Sequence, residues 1–144
     1  MNNKLIKLLK EEENRRCADC GIKHPTWASI NIGVFICQRC CGIHRSFGVH
    51  ISRVKSVNLD NWTDTEINYM KKNGNQKINN IYEAFFQNEK PLHHFNNDQV
   101  KKFIQNKYIN KLFYDKKKKK RKKSKSNLNL KTLKPVEKEN SINI

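Results

Sequence analysis

Acidic residues are scarce in this chain. Its 144 residues carry 13 Asp and Glu against 30 Lys and Arg, a net charge of +17 at pH 7. A body this basic is drawn to anionic surfaces such as nucleic acid, acidic lipid or an acidic protein. Long apolar runs are absent, and none approaches the roughly 18 residues of a membrane-spanning helix. No export signal is expected either. The opening residues, MNNKLIKLLKEEE, are too charged and have too short an apolar part for a signal peptide. The expected compartment is therefore a reducing one, where five cysteines read as metal ligands before disulfides. No internal repeat is visible, which excludes a repeat array. The length leaves room for one domain and a tail. The core of such a domain is small enough for a structural metal to help.

The charge is unevenly spread. Residues 1–115 hold 18 basic and 11 acidic residues, net +7, whereas residues 116–144 hold 12 basic and 2 acidic, net +10. Lys and Asn are abundant throughout, as a genome rich in A and T would produce, so position says more than the total.

Leu5, Ile6, Leu8 and Leu9 share one side of a short amphipathic helix. The stretch Trp27–Ile36 is rich in β-branched and aromatic residues and is broken by Gly33, so a short hairpin or bent strand is expected. Gly42 to Gly48 reads as a short helix or turn, and Val54–Leu59 alternates like a strand. Thr63-Asp-Thr-Glu66 matches a capping box opening a helix that Gly74 stops. Residues 75–88 resume with Ile78, Ile81, Tyr82, Phe85 and Phe86 on one face. Pro91 separates them from a last helix over about 98–113. Eight consecutive basic residues follow, Lys116 to Lys123, and the whole of 116–144 is expected to be disordered.

Cys17 and Cys20 form one Cys-x2-Cys knuckle; sixteen residues later Cys37 and Cys40 form another. Two such knuckles present four thiolates to one tetrahedral Zn²⁺. Four thiolates leave no open position for water, so the ion is structural and not catalytic. Cys41 could replace Cys40 in a wider second knuckle, but a small buried thiol is the preferred reading. His24, His44 and His50 then default to hydrogen bonding or exposure.

Residues 40–60 run Cys-Cys-Gly-Ile-His-Arg-Ser-Phe-Gly-Val-His-Ile-Ser-Arg-Val-Lys-Ser-Val-Asn-Leu-Asp. Here the chain resembles the Arf GTPase-activating (ArfGAP) domain, whose Cys-x2-Cys-x16-Cys-x2-Cys-x4-Arg pattern it carries without a gap, ending at Arg45. Pro25-Thr-Trp-Ala-Ser29, Gly33-Val-Phe-Ile-Cys37, Asn61-Trp62, Gly74-Asn75 and Phe103–Ile109 extend the likeness over about residues 4–115. The resemblance implies a small α/β, mostly helical, zinc-binding domain over 1–115, with a short central sheet surrounded by helices. It implies a cytoplasmic, monomeric activator in vesicle traffic, peripheral at the Golgi or other membranes. Its partner would be an Arf-family GTPase in the GTP form, with no DNA. Arg45 falls on the family's arginine finger, with a local ion pair or stacking on Phe47 as the bland alternative. Trp27 matches a loop tryptophan that packs beside Arg45, touches the partner or simply joins the core. Asp60 is expected either to orient Arg45 or to cap a turn. Lys55 stands where Arg is common, which keeps charge but loses the planar fork for a bidentate partner contact. Cys41 and Phe47 replace the usual Ser and Leu.

The basic run has three readings: a solvated stretch, a tether to an anionic membrane surface, or a nuclear import or nucleic-acid contact. Two alternatives to an activator stand beside it. One is a GATA-like DNA-binding finger, disfavoured because only Arg45 and Arg53 follow the second knuckle closely. The other is an ArfGAP fold that only scaffolds partners.

Overall fold

The structure, a computed structural model, describes residues 2–89 and 92–123, the last four of them in backbone only. Helix α1 (Asn3–Leu9) is capped by the Asn2 side chain and buries Leu5 and Leu8. A 3₁₀ turn, Glu12–Asn14, leads into the first knuckle. Strands β1 (Trp27–Ser29) and β2 (Val34–Ile36) form the expected hairpin. Gly33 turns it with φ near +99°, a conformation that favours glycine, and a Cβ there would lie 2.8 Å from Asn73 Cβ. Strand β3 (Val54–Ser56) pairs with β1, giving the antiparallel order β2-β1-β3 with Trp27 between Ile36 and Ser56.

Alternation along β2 divides the core in two. Val34 and Ile36 face a cluster with the knuckle cysteines, Ile78, Val100, Phe103, Ile104 and Phe113. Phe35 faces the other way, onto Leu5, Leu8, Val57, Ile67 and Met70. Asn75 closes the outer edge of β2: its Oδ1 accepts from Phe35 N at 2.7 Å, and its Nδ2 donates to Arg16 O at 2.8 Å. A buried strand edge thus has its backbone groups met by a side chain, as burial demands.

Helix α2 (Gln38–Ser46) starts earlier than the sequence pattern suggested, because the Cys37 side chain caps it. Helix α3 (Asp64–Lys72) carries the expected Thr63/Glu66 capping box. Gly74 both ends that turn and opens α4 (Asn75–Tyr82). That helix stops at Tyr82, short of the expected 88, although Phe85 and Phe86 still pack on the core. The last long helix is also shorter than expected. Helix α5 (Asn97–Ile104) passes into a π-helical turn, Gln105–Ile109. The expectation of disorder from residue 116 is corrected over its first eight residues, which form helix α6 (Lys116–Lys123). The Asp115 carboxylate accepts from Lys117 N at 2.9 Å, Asp115 N donates to Ile81 O, and Lys118 Nζ reaches Asn80 O at 3.1 Å. A cap and docking on α4 therefore hold a run that lysine repulsion alone would loosen. The remainder of the tail, 124–144, lies outside the described residues.

Candidate functional site: a four-cysteine centre and the arginine beside it

The four knuckle sulfurs lie within 4.8 Å of one another, and Cys20 Sγ and Cys37 Sγ are 3.6 Å apart. Ligands at about 2.3 Å from a tetrahedral zinc stand roughly 3.8 Å from each other, so the sulfur cage fits that ion. The backbone is already folded around it. Asp19 N and Cys20 N point at Cys17 Sγ at 3.4 and 3.5 Å, and Cys40 N at Cys37 Sγ at 3.4 Å. Such N–H groups stabilise thiolate over thiol, and Cys37 adds the N-terminal end of α2. Cys41 is buried outside the cage. Burial pushes its thiol up, against a pull from the Arg45 guanidinium.

Arg45 projects from the last turn of α2 into solvent. Its guanidinium carbon lies 5.0 Å from the centroid of the Trp27 ring, the stacked geometry of a cation–π pair. Trp27, half-buried on the central strand, is thus brought to the arginine, and Phe47 is not its platform. No carboxylate among the described residues pairs with Arg45. Beside it, Ile30, Val49, Ser52, Arg53 and Val54 help line an open concavity of about 500 Å³. Val49 on its rim is 74% exposed.

The other two expected partner residues are engaged within the fold. Asp60 Oδ2 accepts from Ser56 N at 2.7 Å, which makes Asp60 the turn residue after β3 and not the orienter of Arg45. Lys55 Nζ donates to Asn61 O at 2.7 Å and to Glu66 Oε1 at 2.8 Å, tying β3 to the start of α3.

What orients the arginine's helix is a buried polar network that the sequence did not reveal. Asp19, inside the first knuckle, is fully buried. Its Oδ2 meets His44 Nε2 at 2.8 Å; its Oδ1 meets Lys107 Nζ at 2.8 Å and the Tyr108 hydroxyl at 2.6 Å. His44 Nδ1 continues to Ser52 Oγ at 2.8 Å, and Ser52 Oγ to Ser29 Oγ at 2.7 Å. Lys107 also pairs with Glu83 at 2.6 Å and donates to Ala18 O at 3.0 Å. Burial alone would push the Asp19 carboxyl up. The Lys107 ammonium and His44 outweigh it and hold the group well below the usual carboxylate range. Burial would likewise lower Lys107, but Asp19 and Glu83 raise it, so the pair stays ionised. The knuckle, α2, β1 and the π turn are therefore locked together one residue from Arg45. The partners are 25 and 88 residues from Asp19, so no local spacing could have signalled them.

A zinc centre that holds a solvent-facing arginine on a short helix defines a class of regulatory domain. The ArfGap family model, described as a "GTPase activating protein for Arf", matches residues 2–117. The chain belongs to that family. It is 56% identical over 113 residues to mouse (Mus musculus) stromal membrane-associated protein 1, an alignment covering 78% of this chain and 25% of that protein. It is 51% identical over 109 residues to the Arabidopsis thaliana ADP-ribosylation factor GTPase-activating protein AGD12, covering 74% and 32%. The chain thus spans about a quarter to a third of the length of these relatives. Among solved structures, the ArfGap domain of HIV-1 Rev binding protein is similar with a TM-score of 0.71 and 28% identity, covering 83% of this chain and 90% of that one. The ArfGap domain of human RIP gives 0.70 and 30%, covering 77% and 84%. The family match replaces the GATA-like reading, and the four-cysteine cage is its zinc site. Among the described residues no helix is long and apolar enough to cross a membrane.

Proposed function

We propose that the chain stimulates GTP hydrolysis by an Arf-family GTPase and that Arg45 supplies the catalytic guanidinium. The observation that carries this reading is the state of Arg45: exposed, stacked on Trp27, without a carboxylate partner among the described residues, and anchored through α2 to the metal cage. An arginine held in an ion pair would have fewer donors to offer a phosphate. This one is held in a defined pose with its donors free for an incoming anion.

The chemistry suits it. Phosphoryl transfer builds charge on the γ-phosphate and the leaving oxygen, and an arginine supplied in trans stabilises that charge by about 10³–10⁵ in rate. The planar fork binds two phosphate oxygens at once, which lysine does not. Zinc supplies structural rigidity alone. The protein residues do the rest: Trp27 orients the guanidinium, the Asp19–His44 network fixes the helix, and exposed Val49 offers an apolar contact beside the reacting centre. The chain completes another protein's active site and turns over no substrate by itself. The GTP-bound partner works at a membrane surface such as the Golgi, and the chain meets it as a cytoplasmic monomer.

Single-turnover GTP hydrolysis by Arf, with zinc-loaded chain, tests the reading. The intact chain is expected to accelerate hydrolysis. Arg45→Ala and Arg45→Lys are each expected to lose at least a hundredfold of that acceleration with an unchanged melting temperature. No acceleration across several Arf paralogues would sink the activator reading.

A further inference from the structure

On the flank formed by α3, α4 and α6, five lysines line one groove of about 1000 Å³, the Lys111 ammonium resting over the Tyr114 ring at 5.0 Å from its centroid. Lys71 and Lys72 come from the end of α3, Lys77 from α4, Lys111 from the loop after the π turn, and Lys119 from α6. No carboxylate among the described residues lines it, and its floor includes Tyr82. The volume lies at the upper end of small-ligand sites. The arrangement differs from a solvated lysine face in two ways. First, the lysines reach the groove from four separate chain segments, so no single helical run explains them. Second, one of them is delivered by α6, the helix that the Asp115 cap and Asn80 dock against α4.

We propose that this groove is a binding site for a multiply phosphorylated small anion, of the inositol polyphosphate type, either free or as the headgroup of a phosphoinositide in a bilayer. Lysines on a convex surface act almost separately beyond a Debye length of about 8 Å. Lysines around a concavity focus their field on one volume and favour a compact ligand carrying several charges. Ammonium groups suit phosphate as mobile point charges and can follow several phosphates around a ring. Burial pushes the Tyr82 phenol up, so it keeps its proton as a donor. Lys77 Nζ donates to the backbone carbonyl of Lys72 at 2.9 Å, which fixes its ammonium at the end of α3. The site divides the basic run. Lys119 serves the groove and Lys118 holds the helix, whereas Lys116 and Lys117 remain exposed for general attraction to an acidic surface.

The inference is independent of the Arg45 reading, since its readout is binding without a GTPase. The full chain, zinc-loaded, is titrated calorimetrically with inositol hexakisphosphate. It is also sedimented with vesicles containing phosphatidylinositol bisphosphate, against phosphatidylserine vesicles of equal surface charge. The triple variant Lys72→Gln, Lys111→Gln, Lys119→Gln removes three exposed groove lysines. The triple variant Lys7→Gln, Lys10→Gln, Lys23→Gln removes the same charge away from the groove. The groove variant is expected to lose tenfold or more in affinity and the control less than threefold, both with unchanged melting temperatures. Binding of the soluble anion alone identifies a free ligand. Vesicle binding that the soluble anion displaces identifies the bilayer headgroup. Equal losses in the two variants would overturn the site in favour of diffuse attraction. So would the absence of hexakisphosphate binding, or tighter binding of a single-stranded oligonucleotide that the groove variant abolishes.

Discussion

In the role proposed for it, Arg45 is poised but unspent. Its guanidinium rests on Trp27 at 5.0 Å, a contact a partner can keep while the five N–H donors turn to phosphate. Trp27→Ala is expected to leave zinc content unchanged and to lower the GTPase-stimulating rate several-fold, less than loss of Arg45 itself, because it frees the arginine without removing it. Single-turnover hydrolysis at saturating chain reads the difference. Lys107 matters in the opposite way, through what it cancels. It is fully buried between Asp19 and Glu83. Lys107→Met would leave the Asp19 carboxylate buried without its ammonium, a change that typically costs about 3–5 kcal/mol. Urea unfolding of zinc-loaded protein should show a loss of that size. A loss under 1 kcal/mol would mean that the network contributes little to the fold.

At the scale of elements, each piece is held by a local device that can be tested alone. Thr63 caps α3 by accepting from Glu66 N at 3.1 Å, and Glu66 Oε1 returns to Thr63 N at 3.0 Å. Thr63→Ala should destabilise by about 1 kcal/mol, read as a shift in the urea midpoint without a change in slope. Burial would raise the Glu66 carboxyl, but Lys55 and the Thr63 backbone outweigh it and lower it below its ordinary value. A depressed carboxyl contributes stability that is present above the ordinary carboxylate pKa and is lost as pH falls through the lowered one. Glu66→Gln should therefore flatten that acidic limb of the stability curve, and a wild-type slope in the variant would refute the assignment. The capping box, the β1–β2 hairpin and the amphipathic α1 were all legible in the sequence, since each depends on neighbours within about ten residues. The early start of α2 was not. Its cap is Cys37, a residue whose sulfur the motif had already assigned to the metal. The end of α4 at Tyr82 was hidden for a related reason. Phe85 and Phe86 keep a helical period because both pack on the core, although the backbone has left the helix.

At the scale of the whole molecule, the metal and the buried polar network replace the large core that so short a chain cannot build. Zinc removal by a chelator should therefore unfold the domain cooperatively, with loss of near-ultraviolet circular dichroism and of GTPase stimulation together. Acidification should do the same by protonating the thiolates, and added zinc at neutral pH should reverse both. A chelated chain that kept its full tertiary signal would show that the cage is dispensable. The cage was read from spacing alone because a Cys-x2-Cys turn brings two sulfurs to one point whatever surrounds it. Arg45 was singled out only by the resemblance of residues 40–60 to the family pattern, since its separation from the last ligand does not by itself distinguish a functional arginine from a structural one. What Arg45 rests on, why Lys55 and Asp60 serve the fold, how Asp19 joins His44 to Lys107, and which lysines share a groove are long-range facts. They were decided only when strands and helices distant in sequence packed together, because side-chain partnership across a core depends on tertiary proximity and leaves no periodic trace along the chain.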